Sequence, residues 1–278
     1  MNLQQQAKAM GMPAQDKYQG RGFIGLLLFL LCLHLLVLDA SNNLSLFRFF
    51  NGIAAYAPAD LLLLITDLGN GVTLGVITLC CLVKRPELLL RVVIASVLSL
   101  IIVPLLKQTF DAPRPAVLLE TLNIVGEIRL KHSFPSGHTA TAFLFAGTLF
   151  FAFRQTQIKC LAIGFASLVG LSRIVVGAHW PQDVIMGAFV GLFCAYAAAH
   201  CPLVKLSQLH KALIMAFLWL VLVICELDKS FDKDLIWPIL MLRWGLIATA
   251  AMLIWREYGA MYRTKALAGI ARLTTQKA

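Results

Sequence analysis

Three short clusters carry side chains able to grip and transfer a phosphoryl group: Lys107 with Arg114-Pro115 further on, then Pro135-Ser136-Gly137-His138, then Ser172-Arg173 followed by His179 and Asp183. Lys107, Arg114 and Arg173 supply fixed positive charge. An arginine fork can hold two oxygens of one phosphate, whereas lysine acts as a mobile point charge. Ser136 precedes the apolar run from Thr139 to Phe153, so it is a candidate N-cap, and helix N-termini bind phosphate oxygens through free N–H groups. Gly137 has no side chain to keep the backbone away from such a ligand. Pro181 fits the first position of a further helix, which brings His179 and Asp183 face to face. A carboxylate on one imidazole nitrogen fixes the tautomer and leaves the other nitrogen free as a base or a nucleophile. Taken singly, Lys107 reads as a snorkelling residue, Arg114 as a loop charge, Ser136 as a plain cap and Asp183 as a cap beside an interfacial histidine. Arg173 near a span end resists that reading, because an unpaired arginine there is costly.

The elements that must position these groups are membrane-length helices. Hydrophobic residues make up 59% of the 278-residue chain and charged residues 14%, against roughly 25% charged in an ordinary soluble domain, which excludes a soluble globular protein. The net charge of +10 is spread along the ends of apolar runs, where it sets topology and anchoring rather than nucleic-acid binding. Seven cysteines lie in or beside apolar segments without a CxxC pair or a histidine-spaced pattern, so neither disulfide nor zinc site is expected.

The pattern predicts an all-α polytopic membrane bundle of about eight spans, near residues 22–39, 60–83, 88–106, 138–153, 158–176, 183–200, 212–225 and 235–255. The first is read as retained rather than as a cleaved signal peptide. Residues 1–21 then form a cytoplasmic tail, 22–203 a six-helix core, 204–255 two added helices and 256–278 a basic cytoplasmic tail. With the N-terminus inside, 15 of the 24 Lys and Arg residues are cytoplasmic, as the positive-inside rule requires, and all three clusters fall on the outer face. Residues 226–234 read as an acidic outer loop and 43–56 as an interfacial helix with aromatic anchors. Residues 116–130, where Val117, Leu118, Leu122, Val125, Ile128 and Leu130 alternate with charges, read as loop packing or as a lipid-facing flap. Asp67, with Gly69, Asn70 and Gly71, could line the site, bend the helix or bind a neighbouring helix, and packing with hydrogen bonding is the favoured reading.

The spacing of the three clusters resembles the integral-membrane branch of the type-2 phosphatidic acid phosphatase family, whose soluble relatives include vanadium haloperoxidases. The resemblance covers roughly residues 60 to 200. It implies that His179 is the nucleophile forming a phosphohistidine, Asp183 its orienting partner and His138 the acid that protonates the leaving group. Lys107, Arg114, Arg173, Ser136 and the Gly137 N–H would hold the phosphoryl oxygens. Phosphoryl transfer needs positioning and dispersed cationic stabilisation, and here the cations are side chains, with no acidic cluster suited to a divalent metal and no cofactor implied. The expected partner is a phosphorylated lipid in the bilayer of a bacterial-type inner membrane: undecaprenyl diphosphate, phosphatidylglycerophosphate, phosphatidate or a lipid A phosphate. A lipid-to-lipid phosphotransferase is the nearest alternative. A transporter or assembly protein is the alternative of another class, and there charges at mid-span depth would be expected.

Overall fold

The structure, a computed structural model, describes residues 17–201, 204–229 and 236–259. Residues 1–16, 202–203, 230–235 and 260–278, and with them most of the expected cytoplasmic tails and of the expected outer loop 226–234, lie outside the described residues. The elements are α1 (Lys17–Val37), α2 (Ala40–Asn51), α3 (Ala59–Asp67), α4 (Gly71–Lys84), α5 (Leu89–Phe110), the single turn α6 (Pro115–Leu118), α7 (Gly137–Ala152), α8 (Thr156–Val175), α9 (Pro181–His200), α10 (Gln208–Lys229) and α11 (Trp237–Ile254). Helix is the expected state of such apolar runs, since a backbone in hydrocarbon must satisfy its polar groups within the segment.

The eight expected spans take three forms. Five helices, α5, α8, α9, α10 and α11, are long and apolar enough to cross a membrane, two pairs are bent, and the apolar α7 is shorter. The first bent pair turns by 101° between α1 and α2, where Asp39 Oδ1 caps α2 by accepting the Asn42 N–H at 2.9 Å. Helix α2 covers most of the segment 43–56 expected to form an interfacial helix, starting slightly earlier than the sequence indicated. It buries Phe47 against Trp180 and leaves Leu46 and Phe49 exposed. The second bent pair occupies the expected span over 60–83 and takes the bend considered for it: α3 and α4 meet at 52°. Gly69 is a poor helix residue and Asn70 a good N-cap. Asn70 Oδ1 accepts the Val72 N–H at 2.9 Å, and Thr73 Oγ1 donates to Asp67 Oδ2 at 2.7 Å across the break.

The described residues form two compact units, one within Met1–Leu74 and Glu87–Val204, the other within Gly75–Pro86 and Lys205–Ala278. In the first, α7 packs on α8 and α9, α9 also meets α5 and α1, and α3 and α2 lie on α8. Small residues let α7 and α9 touch backbone to backbone. A Cβ on Gly187 would meet Ser136 O at 2.5 Å, and one on Gly191 would meet Leu144 N at 2.8 Å. At the other end of these helices Phe23, Phe151 and Tyr196 pack together. In the second unit α10 and α11 pair, with Trp219 Nε1 donating to Ile247 O at 3.0 Å. Glu226, expected in an outer loop, is instead fully buried in α10, and Arg243 of α11 donates to it at 3.0 Å. A buried arginine requires such a partner, and α10 runs through Glu226 to Lys229.

Candidate active site

Every predicted site residue lies at one end of the helices of the first unit, and the helix directions explain why. Helices α5 and α8 end there, delivering Lys107 and Arg173 in their last turns, while α7 and α9 begin there, delivering Ser136 to His138 and His179 to Asp183. The two helix starts are tied together, Ser136 N donating to Asp183 O at 2.9 Å. The intervening loop carries Arg114, which caps the single turn α6 with Pro115 at its first position.

His179 is buried between Asp183 and the cations. Its Nδ1 is 3.3 Å from Asp183 Oδ2, and its Nε2 is 3.5 Å from Arg114 Nη1. A guanidinium can only donate, so the Nε2 that faces it is the lone-pair nitrogen and the proton sits on Nδ1, toward the carboxylate. Asp183 Oδ2 is held in turn by the Trp180 N–H at 2.9 Å and by the Ser133 hydroxyl. The contact with Trp180 is a third-position carboxylate reaching back to the N-cap N–H. Burial, and then the fields of Arg114, Arg173, Lys107 and His138, hold the His179 imidazole well below its ordinary 6.5. It is therefore neutral, with a free lone pair on the side where the positive charge collects.

Three consecutive carbonyls organise that charge. Leu130 O accepts the Arg114 N–H, Lys131 O accepts Arg114 Nε at 2.9 Å, and His132 O accepts Lys107 Nζ. Arg114 Nη1 also donates to Ala178 O at 3.0 Å, next to the histidine. Arg173 gives one Nη1 hydrogen bond to Thr66 of α3, and its buried Nε has no acceptor among the described residues. Ser136 occupies the N-cap position as expected, but its side chain makes no cap bond. Its Oγ accepts from Thr139 Oγ1 at 2.9 Å instead. The first-turn N–H groups of a helix have no partner inside it, which suits Gly137 N–H to an anionic ligand. His138 is half-buried at the second position of α7.

Sequence reasoning missed Ser133 and Thr66. Neither stands at a periodic or motif position, and only adjacency to Pro135-Ser136 in the chain could have drawn attention to Ser133. The 116–130 segment packs on the first unit with part of its apolar residues and exposes the rest. Leu119 and Leu122 pack on the Phe47–Trp180 cluster and Val125 on Val175 and Val176, while Val117, Leu118, Ile128 and Leu130 stay exposed.

The family model of the PAP2 superfamily matches residues 88–206, which include every predicted site residue. The putative undecaprenyl-diphosphatase YbjG of Escherichia coli K12 is 30% identical over 165 residues, covering 56% of this chain and 80% of that protein. The chain belongs to the PAP2 superfamily. The bacitracin transport permease protein BcrC of Bacillus licheniformis is 29% identical over 202 residues, 69% of this chain and 96% of that protein. Among solved structures, that of Aquifex aeolicus LpxE superposes with a TM-score of 0.52 at 36% identity, covering 56% of this chain and 93% of the other. As a PAP2 protein with apolar helices of crossing length, the chain is a membrane-embedded phosphoric ester hydrolase.

Proposed function

We propose that this protein is a metal-independent lipid phosphatase that cleaves a phosphate monoester or diphosphate through a phosphohistidine at the outer face of a bacterial-type inner membrane. The observation that carries the reading is the orientation of His179: Asp183 on Nδ1 and Arg114 beside Nε2. A phosphoryl group gripped by Lys107, Arg114, Arg173 and the start of α7 would be presented to that lone pair. Nε2 forms a bond to phosphorus while the bond from phosphorus to the leaving oxygen breaks, and His138 gives that oxygen a proton. Water then attacks phosphorus, loses its proton to His138 and releases inorganic phosphate with neutral His179 restored. Dispersed positive charge on the equatorial oxygens is the stabilisation this reaction needs.

The lipid class draws support from the relatives. Proteins named undecaprenyl-diphosphatase occur in Sulfolobus acidocaldarius and, as a putative one, in Escherichia coli. A lipid A 1-phosphatase of Porphyromonas gingivalis is 47% identical over 64 residues, 22% of this chain and 14% of that protein. Membership of this family also favours hydrolysis over transport. The outer-face assignment rests on the Lys and Arg asymmetry of the chain. The direct test is phosphate release by the purified protein from undecaprenyl diphosphate, phosphatidylglycerophosphate, phosphatidate and a lipid A phosphate, each with and without a chelator. Release that persists in chelator and vanishes in His179→Ala is expected. Loss of activity in chelator would overturn the metal-independent reading, and transfer to a second lipid without phosphate release would replace hydrolase by phosphotransferase.

A further inference from the structure

The second apolar span is broken, and the broken turn touches two residues of the candidate site. Thr66, buried in the last turn of α3, accepts a hydrogen bond at Oγ1 from Arg173 Nη1. Three residues on, Gly69 lies against the start of α7: a Cβ there would meet His138 O at 3.0 Å, His138 Cβ at 3.1 Å and Val169 Cγ1 of α8 at 2.5 Å. Asp67, between them, is tied across the break to Thr73 at 2.7 Å, and Asn70 starts the next helix. The break is thus a built feature with its own caps. It places a hydroxyl on Arg173 and a bare backbone against His138.

We infer that Thr66 is a positioning residue, whose hydroxyl holds the Arg173 fork in the orientation that grips the transferring phosphoryl group, and that the break after α3 is what brings it there. A long arginine loses rotamer freedom when it closes on a ligand, and a hydrogen bond made beforehand removes part of that cost. With Nη1 directed to Thr66, the buried Nε of Arg173, which has no acceptor among the described residues, remains for the ligand. The inference rests on the phosphatase reading.

The test uses the full chain in detergent, with inhibition by vanadate and kcat/KM on a lipid phosphate as readouts. Thr66→Val removes the hydroxyl at nearly constant shape, and Thr66→Ala removes it without a β-branch should Val lower the yield. Either variant should raise the vanadate inhibition constant about tenfold, the loss expected of one hydrogen bond to a charged group. Thr66→Ser should restore it to within about twofold, which a general packing defect would not allow. Because Thr66 acts through Arg173, Thr66→Val combined with Arg173→Lys should lose little beyond Arg173→Lys alone. Unchanged vanadate inhibition in the Thr66 variants, or fully multiplying losses in the double variant, overturns the inference while leaving the phosphatase reading intact. An Arg173→Lys protein that matches the wild type in both readouts overturns the phosphate grip itself, and the role of Thr66 with it.

Discussion

The proposed chemistry depends on keeping one imidazole neutral inside a ring of positive charge. His179 is pushed well below its ordinary 6.5 by burial and then by Arg114, Arg173 and Lys107, so its attacking form persists below pH 6.5. The acid limb of kcat/KM that reports His179 should lie under that value. Arg114 is beside Nε2 at 3.5 Å, so Arg114→Gln is expected to lower the rate and also to move that limb upward, toward 6.5. A pH–rate profile whose limb does not move in the variant would show that Arg114 does not set the histidine. The stability sign follows from the same shift: the unfolded chain takes up this proton near 6.5 and the folded chain only at lower pH, so the group's contribution to stability falls as pH drops through 6.5. The roles of His179 and Arg173 also separate. His179→Ala should abolish turnover and keep vanadate binding, whereas Arg173→Ala should weaken both, because a cation acts in ground and transition states alike. Comparable turnover in His179→Ala and the wild type would remove the covalent route.

At the level of elements, the site is held by ties between segments distant in sequence. Asn51, at the end of α2, donates from Nδ2 to Asn123 O at 2.8 Å and to Val175 O at 2.9 Å, and its Oδ1 accepts the Asn123 N–H at 2.9 Å. One side chain thereby fastens the 116–130 segment to the end of α8, two residues beyond Arg173. Gly177 has φ +75 and leaves no room for a side chain beside Asn123 O, which only glycine tolerates at low cost. Asn51→Ala should cost about 1–3 kcal/mol for each buried group left unsatisfied. The expected result is a lower Tm in detergent and faster proteolytic cleavage within 116–130, and cleavage at the wild-type rate would show that this segment is held elsewhere. In the second unit, Glu226→Ala takes the carboxylate from the buried Arg243. Breaking a buried pair from one side costs about 3–5 kcal/mol, so a thermal melt of that variant should show a clear loss, and an unchanged Tm would show that the pair contributes little.

For the molecule as a whole, the proposal is a headgroup-level site reached from the bilayer. Val117, Leu118, Ile128 and Leu130 are exposed apolar residues on the segment whose carbonyls from 130 to 132 hold Arg114 and Lys107. A lipid chain covering them would contribute on the order of 0.8 kcal/mol for each buried CH2, and that binding energy can be used at phosphorus. A long-chain lipid phosphate is therefore expected to exceed its headgroup-only analogue in kcat/KM by orders of magnitude. Equal values for the two would sink the lipid-facing role. The orientation is tested separately: a reporter at the C-terminus should behave as cytoplasmic, and one inserted near Lys229 as external.

The sequence by itself determined the class of the protein and most of its candidate site, because apolar length is enough to specify membrane helices and because the candidate groups come in short local clusters. His179 with Asp183 and Ser136 with Gly137 are separated by a turn of helix or less, so their relation survives without knowledge of the fold. Even the break at Gly69-Asn70 left a mark in the sequence, as glycine and a cap residue inside an apolar run. Only the tertiary structure decided what that break touches, what holds Asp183, and where Arg243 finds its partner. Thr66 is 107 residues from Arg173 and Ser133 is 50 from Asp183. A hydroxyl acting across such separations has no period, no spacing and no charge to announce it. Its meaning is set by which helix ends the small residues of α7 and α9 bring together.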